Sequence, residues 1–149
     1  MGNKTNLAAL ILTKDEEKHI ARCIKSLKGV CEEIFVIDCF STDNTKSIAE
    51  SLGAKVYQHP WKNYATQFNW GLHNCPIKAD WIWRIDADEY LDKDLGDNVK
   101  KAISECAEDV NGIYGDVKSE LIKLIENGII TKDPHFVPEY QIIVFEECT

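Results

Sequence analysis

The residues best placed to do chemistry are acids that close apolar runs. Asp86-Ala87-Asp88 follows Trp81-Ile82-Trp83-Arg84-Ile85, and Asp38 follows Ile34-Phe35-Val36-Ile37. Two carboxylates two residues apart, where the chain leaves a strand, can reach one small volume. Hard oxygen ligands of this kind suit Mg2+ or Mn2+, with the remaining coordination left to water and substrate phosphates. The pair alone is a weak signal: with 12 Asp in 149 residues, about one Asp-x-Asp arises by chance. Asp92-Lys93-Asp94 is such a case and reads as the acidic start of a helix. Position separates the two, because only the first pair ends a strongly hydrophobic strand. Asp38 has a local alternative as well: an acid ahead of Ser41-Thr42-Asp43-Asn44-Thr45 can simply organise a turn.

The elements that must position these acids alternate between short apolar runs and segments of helical period, the pattern of a β-α-β succession and a mainly parallel sheet. Leu7 to Leu12 reads as a strand buried on both faces. Ile20, Cys23, Ile24 and Leu27 then give one face of a helix beginning near Asp15 or Glu16 and ended by Gly29. Residues 33–38 form a second strand, and Ser41 is expected to cap a helix carrying Ile48, Ala49 and Leu52 inward as far as Gly53. Residues 54–57 make a third strand, and a helix runs from Tyr64 to Asn74. The fourth strand is 81–86. Leu95, Val99, Ile103 and Cys106 mark a further helix; Val117, Leu121, Leu124 and Ile125 mark another, closed by Gly128. Gln141 to Phe145 is a last strand. The chain parses as one domain, without repeats or low-complexity stretches.

In open α/β sheets ligands settle beyond the carboxyl ends of the strands, so Thr13, Asp38 and Asp86-Ala87-Asp88 carry most weight. Glycine-rich dinucleotide and P-loop signatures are absent, as is the Gly-x-Ser-x-Gly nucleophile elbow. Asp plus Glu number 25 against 17 Lys plus Arg, a net charge of -8, which argues against a general nucleic-acid binder. The composition, 44% hydrophobic and 28% charged, is that of an ordinary globular protein. The run Leu7 to Leu12 is far shorter than the ~20 residues of a membrane span, so neither signal peptide nor transmembrane helix is expected. Six cysteines without a Cys-x-x-Cys pair read as reduced, mostly buried thiols, and four scattered histidines do not suggest zinc.

Four motifs in order extend this picture: Leu10-Ile11-Leu12-Thr13-Lys14-Asp15-Glu16-Glu17, Val36 through Thr45, Pro60-Trp61-Lys62 with Gln67-x-Asn69, and Asp86-Ala87-Asp88-Glu89. Over roughly residues 5 to 95 the chain resembles the family-two glycosyltransferases of GT-A fold, and within them the bacterial lipopolysaccharide-core β-glucosyltransferases. Residues 138–145 faintly match a later strand of that subgroup. The resemblance implies an α/β, Rossmann-like GT-A domain with a mainly parallel sheet sandwiched by helices. It divides the chain into a nucleotide-sugar-binding half, 1–95, and a shortened acceptor-side half, 96–149.

The implied activity is inverting, metal-dependent transfer of a hexose from a nucleoside-diphosphate sugar, a UDP-sugar, to a glycan or glycolipid acceptor in cell-envelope polysaccharide synthesis. The implied setting is cytoplasmic, at the inner face of the membrane, with at most peripheral membrane contact. By the same resemblance Thr13, Asp15 and Glu16 would line the base and ribose pocket, and Asp38 would accept from the uracil ring. Asp86 would lie near ribose and metal, and Asp88 would ligate Mn2+ or Mg2+. Lys62, Gln67 and Asn69 would complete the donor site, although an exposed loop lysine is more often only solvated. At Phe68 the family usually has Arg or Lys. Glu139, Glu146 and Glu147 are acids available to the acceptor side, with a solvated edge or tail as their simplest reading, and no general base is assigned. The alternative is a non-catalytic module that keeps the donor half to bind nucleotide sugar or a protein partner.

Overall fold

Leu7–Thr13 is apolar at nearly every position, and such a run is stable only where both faces of a strand are covered. It forms β1, the centre of a sheet in a computed structural model that describes residues 6–79, 81–91, 93–105, 112–116 and 141–146. The elements follow as α1 (Ile20–Leu27), β2 (Glu33–Asp38), α2 (Thr45–Ser51), β3 (Lys55–Gln58), α3 (Tyr64–Asn74), β4 (Trp81–Asp86), α4 (Lys93–Glu105), β5 (Gly112–Asp116) and β6 (Gln141–Glu146). The sheet order is β3-β2-β1-β4-β6-β5, and every pairing among these strands is parallel. The register sets Thr13 beside Asp38 and Leu12 beside Asp86, so the ends of β1, β2 and β4 share one edge.

Strand alternation sends side chains into two cores. On one face Leu7, Ala9, Ile11, Val36, Trp81, Trp83 and Ile85 pack with the apolar stripe of α1, with Ala49 of α2, and with Val99 and Ile103 of α4. On the other, Ala8, Leu10, Phe35, Ile37 and Ile82 meet Phe68 and Leu72 of α3. Helix α3 lies close to the sheet because Gly71 has no side chain: a Cβ there would stand 2.9 Å from Ile37 Cγ1 and 3.0 Å from Leu10 Cδ2. The sheet is therefore sandwiched by helices, as expected.

Several local expectations are corrected. Helix α1 begins at Ile20, not near Asp15, because Asp15 adopts a left-handed φ of 52° and the backbone N–H groups of residues 15–17 donate to side chains of residues 41–45, while the Glu16 carbonyl accepts from His19 and Ile20 N–H in a turn that leads into the helix. Ser41 does not cap α2: Asn44 occupies the N-cap position without a side-chain bond, and the Ser41 hydroxyl donates to Asp38. Strand β3 is shifted by one residue, to Lys55–Gln58. Strand β5 carries no strong apolar pattern and was not expected; it is held by its pairing with β6. The helix expected over 117–128 lies outside the described residues, as do Cys106 and Cys148. Cys23, Cys31 and Cys75 are buried free thiols, and Cys39 is a half-buried one. Among the described residues no helix is long and apolar enough to cross a membrane.

Candidate functional site

The edge where β1, β2 and β4 end opens into a cleft of about 560 Å3. Thr13 and Glu16 line it from the β1 side, Asp86 and Asp88 from the end of β4, and Trp61 and Tyr64 from the entry to α3. Four of the expected site residues thus come together. The cleft is acidic. Lys14 also lines it, but its ammonium donates to the Phe40 carbonyl at 2.9 Å and lies 3.9 Å from Asp15. Burial lifts the Glu16 carboxyl above its ordinary pKa; His19, 3.4 Å away, pulls the other way, and Asp88, Asp43 and Asp86 push it up further. An anionic ligand entering this space meets carboxylates and needs a cation beside it.

Asp86 and Asp88 are exposed carboxylates, the hard oxygen type that Mg2+ or Mn2+ takes. Among the described residues no three of His, Cys, Asp and Glu converge as a closed cage. Two carboxylates with water and phosphate completing the shell is the arrangement common for such ions beside nucleotides, so the donor set fits. The turn carrying the pair is fixed by a reciprocal bond: Asp86 N–H donates to Glu89 Oε1 at 2.8 Å, and Glu89 N–H donates to the Asp86 carbonyl at 3.0 Å. Arg22 donates to the Asp88 carbonyl at 3.3 Å, and its guanidinium stacks 4.1 Å over the Tyr90 ring.

The other expected residues sit elsewhere. Asp38 is fully buried and does not line the cleft: its Oδ1 accepts from the Thr13 and Ser41 hydroxyls, each at 2.6 Å, and its Oδ2 from Ser41 N–H at 2.9 Å. These bonds give Asp38 the turn-organising role that its position ahead of Ser41 allowed, and the contact with a uracil ring is an expectation that the nucleotide-free structure does not test. Asp15 accepts from Thr42 N–H at 2.8 Å and so ties the first loop to the second. Gln67 is buried, with both ends of its amide on His59: Nε2 donates to the carbonyl at 2.9 Å and Oε1 meets Nδ1 at 2.7 Å. His59 in turn stacks on Trp70 at 4.4 Å. Gln67 therefore locks the β3–α3 connection and does not line the cleft. Lys62 is exposed on that connection and Asn69 half-buried on α3, neither lining the cleft. Phe68, where a cation was the usual family residue, is buried in the α3 core.

Sequence reasoning passed over Tyr64 and Arg84, and quoted Trp61 in a motif without giving it a role. Tyr64 Oη donates to Asp86 Oδ1 at 2.5 Å, the Arg84 guanidinium lies 4.0 Å over its ring, and Trp61 meets it edge-on at 6.1 Å. Burial and the Asp86 carboxylate push the Tyr64 phenol up to about 12. One signal was available: Arg84 interrupts an apolar strand two residues before Asp86, which places the two on the same face.

Comparison with known proteins agrees with this architecture. A mannosyl-3-phosphoglycerate synthase from Rubrobacter xylanophilus superposes with a TM-score of 0.60 at 19% identity, covering 76% of this chain and 41% of that one. A glucosyl-3-phosphoglycerate synthase from Mycobacterium tuberculosis, solved with Mn2+, UDP and glucosyl-3-phosphoglycerate, gives 0.56 at 18% identity, covering 73% and 44%. At these identities the likeness is one of fold, and that fold is GT-A.

In sequence, an uncharacterized glycosyltransferase of Rickettsia bellii is 47% identical over 94 residues, 63% of this chain and 31% of that protein. The lipopolysaccharide core biosynthesis glycosyltransferase LpsC of Rhizobium meliloti is 37% identical over 97 residues, 62% and 35%. The chain spans about a third of the length of these curated relatives. Residues 9–134 match the family described as glycosyl transferase family 2. With most of its length inside that match, and its carboxylates gathered at the edge of a GT-A sheet, the chain belongs to glycosyl transferase family 2.

Proposed function

We propose that this chain carries the donor site of an inverting, cation-dependent hexosyltransferase that uses a UDP-sugar and passes the hexose to a glycan or glycolipid acceptor of cell-envelope polysaccharide synthesis. The observation that carries the reading is the convergence of Asp86, Asp88 and Glu16 on one cleft whose lysine is bonded elsewhere. Asp88 and Asp86 would hold Mn2+ or Mg2+, while Thr13 and Glu16 flank the nucleoside. The Mn2+ and UDP named for the mycobacterial synthase complex, and the lipopolysaccharide role named for LpsC, support this assignment. When bound, the cation supplies Lewis-acid stabilisation of charge on the departing nucleoside diphosphate.

The chain's own part is to fix that geometry in advance. Asp38 joins the β1 and β2 loops, Glu89 closes the turn after β4, and the half-exposed indole of Trp61 shields one side of the cleft. The setting we propose for the chain is the cytoplasm, at the inner face of the membrane.

Thermal unfolding with UDP, UDP-glucose, other nucleotide sugars and NAD, each with and without Mn2+, tests the proposal. At ~100 times Kd a ligand adds about 2.7 kcal/mol, or roughly 5 to 10 °C at this size. A Mn2+-dependent shift confined to UDP compounds is expected. No shift with any of them rejects the donor site and leaves the fold as a scaffold for a partner.

A further inference from the structure

An aspartate at an exposed strand end ordinarily samples several rotamers, yet Asp86 is held from three directions. Its backbone is closed onto Glu89 in both senses. Its Oδ1 accepts from the Tyr64 hydroxyl at 2.5 Å. The Tyr64 ring is itself gripped between the Arg84 guanidinium, 4.0 Å over its face, and the edge of Trp61, 6.1 Å away at 85°. Tyr64 opens α3, whose first turn is secured by Asn63 Oδ1 accepting from Thr66 N–H at 2.8 Å. The phenol is thus a rigid donor set on one oxygen of a carboxylate, and among the described residues Oδ2 takes no protein partner.

We infer that Tyr64 is a positioning residue that sets which cation the site accepts, by occupying one side of Asp86 Oδ1, fixing the carboxylate's orientation and favouring Oδ2 as the oxygen it presents. The inference rests on the reading that Asp86 and Asp88 hold a divalent cation. A carboxylate that presents one oxygen suits small octahedral ions such as Mn2+ and Mg2+. Ca2+ takes six to eight oxygens, readily including both of one carboxylate. Hydrogen-bonding partners of ligating groups commonly change metal affinity by about 10 to 100-fold when removed.

The test is Mn2+ binding to the full chain in the presence of UDP, followed by the electron paramagnetic resonance of free Mn2+, with Ca2+ as competitor. Tyr64→Phe keeps the ring, its stacking on Arg84 and its edge contact, and removes only the hydroxyl. The expected result is about a tenfold loss of Mn2+ affinity with less than a twofold change for Ca2+. Arg84→Met, which keeps the phenol but frees its ring, shifts the Mn2+ to Ca2+ ratio in the same direction by less. Unfolding of each variant without ligand shows that it is folded. A parental ratio in Tyr64→Phe, or equal losses for both ions, overturns the inference while leaving the donor site standing. Failure of the parent chain to bind Mn2+ with UDP overturns the donor-site reading itself, before any variant is compared.

Discussion

Thr13 Oγ1 donates to Asp38 Oδ1 across 2.6 Å, joining the carboxyl ends of two adjacent parallel strands through a carboxylate with no exposed surface. Ser41 adds a hydroxyl and a backbone N–H to the same group, so every observed partner of Asp38 is a donor. Asp38→Asn replaces one acceptor oxygen by an NH2 and sets donor against donor at Thr13 or Ser41. A loss of about 1–3 kcal/mol is expected, read as a lower midpoint in urea unfolding. Unchanged stability with lost UDP affinity would instead return Asp38 to base recognition.

Asp88 contributes little to the core, since its carboxylate is exposed on the turn after β4. Asp88→Ala should therefore unfold near the parental temperature without ligand and lose the Mn2+-dependent UDP shift of roughly 5 to 10 °C. Asp94→Ala, in the first turn of α4, is the matched control and keeps the shift. An equal shift in Asp88→Ala and parent rejects Asp88 as a cation ligand.

The strand that delivers Asp86 was legible because buried parallel strands must be apolar on both faces, and residues 81–85 are so apart from Arg84. Helix α3 was legible to the residue. Asp38 was legible only as two alternatives, a turn organiser or a base contact, because an acid at a strand end looks alike whether it faces a ligand or three internal donors. Its partner Thr13 lies 25 residues away in sequence. The same holds for residues 15–17, whose bonds run to Ser41, Thr42, Asp43 and Thr45 and override local helical tendency. Strand β5 depends on a partner, β6, that begins at Gln141, so no local pattern could announce it.

Tyr64 offers a pH signature of the clamp on Asp86. Its phenol is raised from 10 to about 12 by burial and by the acceptor carboxylate. The folded state therefore holds the proton that the unfolded state releases, so this contribution to stability is full below pH 10 and lost as pH rises through 12. An ultraviolet absorbance titration should show a tyrosine step near 12 that Tyr64→Phe removes. In Asp86→Asn that step moves downward but stays above 10, because burial remains. A step that does not move shows that the carboxylate is not what holds the proton.

Cys39 is the described cysteine that lines the cleft, between the buried Asp38 and the exposed Phe40. Burial pushes the Cys23 and Cys75 thiols up to about 12 and raises Cys31 as well, which keeps all three protonated and shielded. Thiolate is the reactive form, so alkylation of the native chain should mark Cys39 well before Cys23, Cys31 or Cys75 when peptides are mapped by mass. UDP with Mn2+ should slow that labelling severalfold, because the occupied cleft covers the sulfur, while UDP alone should slow it less. Labelling of Cys39 indifferent to both would mean that the nucleotide binds somewhere other than the edge where Thr13, Asp86 and Asp88 meet.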